Sequence, residues 1–397
     1  MKYLVLIGDG MTDYPLPALQ GKTPLEVAKT PNLDFLAQHG ICGWVNNVPK
    51  GLPPASDVAN MSIFGYDPKK YYTGRGPLEA ASLGVKLKKE EIAFRCNLVT
   101  LHDRKMKDFT AGHVSTPEAT KLIKMLDEKL GRKGIKFYPG LSYRHLLVMT
   151  NDKCQMSNVC TTPPHDITGQ EVKSFLPKGK GAEILLQLMA ESEVLLHETG
   201  GKATTIWPWS PGKSPILPPF KKKYGLRGAI ITAVHLLKGI GRLAGMEVID
   251  VPGATGYLDT NYVGKAEYAL KALKRNDIVF VHVESPDEAG HEGNIENKIK
   301  AIEDFDRLVV GTILKNIQHQ TSNIKHPTLN IKLLVLPDHP TPIKLMTHTA
   351  EAVPFVIWSG DATGYGLRVT GYNEKALKKA KLRIKKGCEL LSKLVKE

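Results

Sequence analysis

Three short apolar runs, each ending at once in acidic or polar residues, constrain the fold of this chain more than any other feature. They are Tyr3–Ile7, closed by Gly8-Asp9-Gly10; Asp277–Val283, followed by Glu284; and Ile331–Leu336, followed by Pro337-Asp338. A fourth apolar run is Pro354–Trp358. Runs so short and continuous suit strands of a parallel sheet buried on both faces. In open α/β sheets, active sites gather beyond the carboxyl ends of the strands. Asp9, Asp287 and Asp338 are therefore expected on one rim. The fold class is α/β, a mostly parallel sheet flanked by helices.

Helical stretches separate these runs. Thr30 is the expected N-cap of one, with Pro31 in its first turn. Residues 297–316 carry apolar positions at helical period, and 375–394 read as a basic C-terminal helix. From about Glu90 to Phe220 the chain has its own strands (Ala93–Leu101, His145–Met149) and helices (Pro117–Leu130, Ala182–Leu196). At 397 residues it exceeds what one core usually organises. The expected arrangement is a discontinuous first domain, 1–88 with 222–397, and an inserted α+β domain, 89–221.

The net charge is +14. Much of its excess lies in short lysine runs, which read as solvated faces, and with 7% aromatic residues and few of them near those runs the chain offers little of the stacking platform of a nucleic-acid binder. Five cysteines (Cys42, Cys96, Cys154, Cys160, Cys388) without CxxC spacing argue for a reducing compartment. No apolar run approaches the roughly 20 residues that cross a bilayer. A cytoplasmic protein without nucleic-acid or membrane partners is expected; the oligomeric state stays open.

Four local signals carry chemistry. Asp287 and His291 follow a strand four residues apart, a spacing that can aim both at one cation; a capping Asp beside a surface His is the plainer reading. Asp338-His339, with His348 nearby, also follows a strand, where the alternative is a turn-forming Asp. Asp9 between glycines suits either a ligand site or a turn. Ser56, in Pro53-Pro-Ala-Ser56-Asp57, is unremarkable alone, and no GxSxG elbow exists. Together the four describe two metal sites, Asp287, His291 and His348 in one and Asp9, Asp338, His339 and Ser56 in the other. Paired metals suit in-line phosphoryl displacement on a serine.

At these residues the sequence resembles the archaeal-type cofactor-independent phosphoglycerate mutases of the alkaline phosphatase superfamily. The shared segments run from Gly8-Asp9-Gly10-Met11 through Thr30-Pro-Asn-Leu-Asp34, Ser56-Asp57, Tyr72-Thr-Gly-Arg-Gly-Pro77 and Phe94-Arg-Cys-Asn97. They continue with Ser142-Tyr-Arg-His145, Pro164-His-Asp166, Asp259-Thr-Asn-Tyr262, Asp287/His291 and Asp338-His339 with His348. The resemblance implies an alkaline-phosphatase-like fold and an isomerase interconverting 3- and 2-phosphoglycerate in glycolysis and gluconeogenesis. It implies a phosphoserine at Ser56 and two divalent ions, manganese foremost with magnesium, cobalt or zinc also admissible, and no 2,3-bisphosphoglycerate. By the same resemblance Arg75, Arg95, His113, Arg144 and Lys265 would contact the small phosphorylated substrate. His165 and Asp166 would move protons between its hydroxyls.

Two departures stand out. Ala55 replaces the glycine expected before the serine, and His197–Ala203 lacks an expected arginine, which bears on the substrate. The rival readings are another metal-dependent phosphomutase or a phosphatase on the same platform.

Overall fold

The computed structural model describes residues 1–150, 159–322, 331–359 and 369–396. The chain divides into two compact units, one formed by Met1–Tyr72 with Leu217–Glu397 and the other by Thr73–Ile216. The expected division fell at 88 and 221. The helix Arg75–Ser82 packs on strands of the second unit, which moves the first break upstream.

The first unit holds strands β1 (Lys2–Gly8) and β2 (Ile41–Val45) before the second unit begins. The second unit carries β3 (Glu91–His102), β4 (Lys105–Asp108), β5 (Ile135–Leu141), β6 (Arg144–Thr150) and β7 (Thr205–Gly212). The first unit then resumes with β8 (Gly228–Ile231), β9 (Glu247–Ile249), β10 (Ile278–Val283), β11 (Ile331–Leu336), β12 (Val353–Ser359) and β13 (Leu382–Ile384).

The sheet of the first unit runs β13-β2-β12-β11-β1-β10-β8-β9. Its five strands from β11 to β9 are mutually parallel, and β12 is antiparallel to both its neighbours. This is the mostly parallel α/β sheet read from the apolar runs. All six residues of β10 are buried, as are residues 3–8 of β1, because helices cover both faces. The order β11-β1-β10 sets the ends of the three signal-bearing strands side by side.

Helix boundaries differ from expectation in three places. Thr30 occupies the N-cap of Pro31–His39 but its side chain makes no capping bond. Asp306 does the capping instead, accepting from the amides of Asn32 at 3.3 Å and Leu33 at 2.7 Å. The expected helix 297–316 is interrupted by a π-helical segment, Phe305–Val310, which contains that aspartate; such insertions accommodate one extra residue in a helix. The expected C-terminal helix is replaced by turns, the edge strand β13 and a short helix Leu390–Lys396. Gly387 interrupts it: its amide donates to the Asn46 carbonyl at 2.7 Å. A Cβ there would lie 2.6 Å from Asn47 Oδ1.

The second unit is an antiparallel sheet, β4-β3-β6-β5 with β7 on β3, covered by helices Thr116–Leu130 and Ala182–His197. The first helix starts at Ser115, whose side chain accepts from the Glu118 amide, and buries Ala119, Ile123, Leu126 and Leu130. That spacing is the stripe expected of an amphipathic helix on a sheet. Among the described residues, Cys42, Cys96, Cys160 and Cys388 are free thiols; Cys154 lies outside them. No described helix is long and apolar enough to cross a membrane.

Candidate active site

Residues just past β1, β10 and β11 meet in the first unit. Asp9 leaves β1 with its amide on the Val283 carbonyl of β10 at 2.9 Å. Asp287 and His291 sit on the helix Ser285–His291 that follows β10, and Asp338 and His339 directly follow β11. The backbone after β11 then runs along residues 11–12 and returns His348 to the same place. Gly10 makes this convergence feasible. It has φ +62°, and a Cβ on it would lie 2.7 Å from Asp287 Oδ1 and 2.6 Å from Thr341 Oγ1.

Ser56 opens the helix Ser56–Ile63. Its N-cap, Ala55, has extended φ −159°, ψ 149°, a conformation that accepts a Cβ, so no glycine is required. One turn on, Asn60 Nδ2 donates to the Ser56 carbonyl at 2.9 Å and to Asp338 Oδ2 at 2.8 Å. Asp338 also accepts at Oδ1 from the amides of Gly10 at 3.2 Å and His339 at 2.8 Å. Those bonds lock the carboxylate beside the serine.

The three histidines share one pattern. His291 Nδ1 lies 3.0 Å from the Met346 carbonyl, His348 Nδ1 3.2 Å from the Pro54 carbonyl, and His339 Nδ1 3.3 Å from Thr341 Oγ1. A carbonyl takes only a donor, and Thr341 spends its own hydroxyl proton on Asp287, so each Nδ1 carries a hydrogen. Each Nε2 is thereby turned inward. His291 and His348 bring theirs within 2.8 Å of each other. Asp287 lies 3.2 Å from the first and 3.5 Å from the second. His339 Nε2 is 3.1 Å from Ser56 Oγ, 3.6 Å from Asp9 Oδ1 and 3.5 Å from Asp338 Oδ2.

Such crowding of lone pairs is what a cation would relieve. Asp9, Asp338 and His339 form one group of mutually close donor atoms, and Asp287, His339 and His348 another. Both Asp9 oxygens are buried without a hydrogen-bond partner. Ligating histidines usually donate their other N–H to a backbone carbonyl or a polar neighbour, and all three do so here. The donor set fits two divalent ions of the zinc or manganese kind. Burial, then the charges of Asp338 and Asp287, hold Asp9 well above the usual carboxylate range. Burial pulls His291 down, but the bond to and charge of Asp287, with the Met346 carbonyl and the Glu288 charge, together raise it to about 9.

Several supporting residues went unread in the sequence. His282 stands inside an otherwise apolar strand, a signal that was available, and its Nε2 lies 3.0 Å from Asp9 Oδ2. Thr341 and Asn60 carry no signal of their own. Lys298 forms a wholly buried pair with Asp13 at 2.7 Å and donates to the Thr341 carbonyl at 2.7 Å, anchoring the loop after His339. Lys265, expected at a phosphate, is enclosed, with Nζ on the His282 carbonyl at 3.2 Å; burial lowers it to about 8.

The second unit, taken by itself, gathers its expected residues around Trp209. The guanidinium of Arg95 lies 5.0 Å and that of Arg75 5.6 Å from the indole ring, and His165 packs against it at 5.4 Å. Arg95 is buried, pairs with Glu79 at 3.6 Å, and keeps a buried Nε without a partner. Burial lowers it to about 10, with Arg144 and Arg75 adding to the effect. Arg144 stacks on Tyr143 at 5.3 Å. Asp166 approaches His165 at 3.6 Å. His113 sits on the loop after β4 with φ +52°, its amide on Thr110 Oγ1 at 3.0 Å. In the segment that lacks the expected arginine, Lys202 runs beside Gly112.

Comparison with known proteins accords with this geometry. A family profile described as 2,3-bisphosphoglycerate-independent phosphoglycerate mutase matches residues 37–200. A protein of that name from Methanosarcina barkeri is 50% identical, the match covering 100% of both chains. A probable one from Geobacter sulfurreducens is 49% identical over 98% of each. Among solved structures, a Pyrococcus horikoshii protein superposes with TM-score 0.81 at 28% identity, covering 100% of this chain and 96% of that one. The cofactor-independent phosphoglycerate mutase of Thermoplasma acidophilum does so with TM-score 0.65 at 28% identity, covering 100% and 99%. The chain belongs to the family of 2,3-bisphosphoglycerate-independent phosphoglycerate mutases, which are isomerases.

Proposed function

We propose that this protein interconverts 3-phosphoglycerate and 2-phosphoglycerate through a phosphoserine at Ser56, without 2,3-bisphosphoglycerate. The observation that carries the proposal is the convergence of three imidazole Nε2 atoms and three carboxylates in one cluster, whose His339 Nε2 meets the Ser56 hydroxyl at 3.1 Å. Asp287, His291 and His348 would hold one divalent ion; Asp9, Asp338, His339 and Ser56 would hold the other, with manganese the foremost choice. Bound there, the two ions would make the hydroxyl acidic enough to attack and would neutralise the transferring oxygens.

The chain's own groups do the rest. Ser56 Oγ gives up its proton and forms a bond to phosphorus as the bond from phosphorus to the glycerate oxygen breaks, and the leaving oxygen takes up one proton, so none is gained or lost overall. Return of the phosphoryl group to the other hydroxyl reverses each change. Ser56 is the first residue of an eight-residue helix, so a phosphoryl group on it lies at the positive end of the helix dipole. Arg75, Arg95 and Arg144 suit the glycerate carboxylate, since guanidinium forks match that group. His165 and Asp166 would carry protons between the hydroxyls. The reaction would be a step of glycolysis and gluconeogenesis, in the cytoplasm.

The test is incubation of the purified protein with Mn²⁺ and 3-phosphoglycerate, omitting 2,3-bisphosphoglycerate. Formation of 2-phosphoglycerate is expected. Release of inorganic phosphate as the main product would establish a phosphatase instead. Turnover of only some other phosphate ester would point to a different phosphomutase.

A further inference from the structure

We infer that His282 is a positioning residue which fixes the Asp9 carboxylate from behind, so that Asp9 faces its metal ion. The inference rests on the two-metal reading above and adds a residue to it that no motif contains.

The backbone places this histidine before any side chain is considered. Strands β1, β10 and β8 are parallel neighbours, with Ile7 opposite His282 and Val281 opposite Ile231. Thr232 therefore stands beside His282, and Asp9, two residues beyond Ile7, follows on the same face at the carboxyl end of β1. The His282 side chain is wholly buried, and so is that of Asp9 to within 1%.

Hydrogen bonding then assigns the ring's proton. Nδ1 lies 3.3 Å from Thr232 Oγ1. That oxygen accepts the Val234 amide at 3.0 Å and has a hydroxyl proton to give to Nδ1, the direction that matches Nε2 facing a carboxylate oxygen. A neutral imidazole bonded in this way carries its hydrogen on Nε2. Nε2 lies 3.0 Å from Asp9 Oδ2, and neither Nε2 nor either Asp9 oxygen has an aligned partner. A buried donor and a buried acceptor, each otherwise unmatched, face one another at bonding distance. Lys265 steadies the arrangement through its bond to the His282 carbonyl.

Two alternatives are weaker. As core filling, an imidazole is a poor choice in a strand whose other residues are all apolar, because burying its polar atoms costs free energy unless they are used. As a ligand, His282 would need a lone pair on Nε2, where a bond from the Thr232 hydroxyl to Nδ1 leaves a hydrogen. A group that orients a ligand without touching the ion typically contributes about 10- to 100-fold in metal affinity.

The experiment is Mn²⁺ titration of metal-free protein by calorimetry, with no substrate present, on the unaltered chain and on His282→Ala, His282→Gln and Thr232→Val. The unaltered chain should bind two ions. His282→Ala should weaken one of the two by about 10- to 100-fold and spare the other. His282→Gln, which keeps an N–H, should recover most of the loss, and Thr232→Val should weaken the same site to a lesser degree. Two unchanged constants in His282→Ala would overturn the inference. Failure of Gln to rescue would overturn it too, by making His282 a ligand or a packing residue. If His282→Ala does not fold, Thr232→Val decides: a shift confined to one site supports the inference, and no shift overturns it. Fewer than two ions on the unaltered chain would remove the two-metal reading itself, an outcome visible without any variant.

Discussion

Replacing Gly10 by alanine tests how the strand ends are brought together. The residue has φ +62°, and its new Cβ would lie 2.6 Å from Thr341 Oγ1, 2.7 Å from Asp287 Oδ1 and 2.8 Å from Asp287 Cα. Two costs arise. Left-handed backbone strain in a non-glycine residue is worth about 1–2 kcal/mol. Overpacking against a backbone atom that cannot swing away adds about 1–3 kcal/mol. Gly225 separates them, because it has φ +72° with nothing within 4 Å of its Cβ position and lies in the same unit. Gly225→Ala should therefore lose only the strain, about 1–2 kcal/mol, and Gly10→Ala about 2–5 kcal/mol. Urea denaturation of the metal-free proteins measures the difference. The clash also displaces Asp287 from His291 and His348, so Gly10→Ala should weaken Mn²⁺ binding where Gly225→Ala does not. Equal stability losses, within about 0.5 kcal/mol, together with unchanged metal binding would refute the close approach.

Three further outcomes are expected. Lys298→Met removes one partner of a wholly buried ion pair and strands the Asp13 charge. It should destabilise the protein by about 3–5 kcal/mol in urea denaturation, and a loss under about 1 kcal/mol would mean that the pair is dispensable. Metal affinity should follow the His291 proton. Its pKa is raised to about 9 and Nε2 must lose that proton to ligate, so Mn²⁺ binding should tighten roughly tenfold per pH unit as pH rises toward this value and level off above it. A Kd independent of pH would contradict the assignment. Arg95→Lys keeps the charge but loses the fork beside Glu79 and Trp209, so KM for phosphoglycerate should rise on the order of tenfold with a smaller change in kcat; an unchanged KM would exclude Arg95 from substrate binding.

What the sequence revealed followed from local pattern. Continuous apolar runs followed closely by Asp9, Asp287 and Asp338 required only strand periodicity and the carboxyl-end rule, and the parallel order β11-β1-β10 joins them as that rule requires. Features set by distant partners were illegible. Thr30 satisfies every local rule for a capping residue, yet Asp306 does the capping from far along the chain. The lysine-rich tail has helical composition, but Gly387 is held against Asn46 and Asn47 and the preceding segment pairs with β2. His282 was legible as an oddity in its strand, and only the register with β1 and β8 gives it neighbours. The orientation of the three imidazoles depends on the carbonyls of Met346 and Pro54 and on the Thr341 hydroxyl, which no motif encodes.

The phosphoserine is the central claim, and rapid acid quench tests it most directly. The protein is mixed with Mn²⁺ and 3-phosphoglycerate, quenched within a turnover, digested and examined by mass spectrometry. The account predicts a phosphoryl group on Ser56, absent without substrate, and loss of both label and turnover in Ser56→Ala. An unlabelled Ser56 during active turnover, or a Ser56→Ala variant that still forms 2-phosphoglycerate, would contradict it.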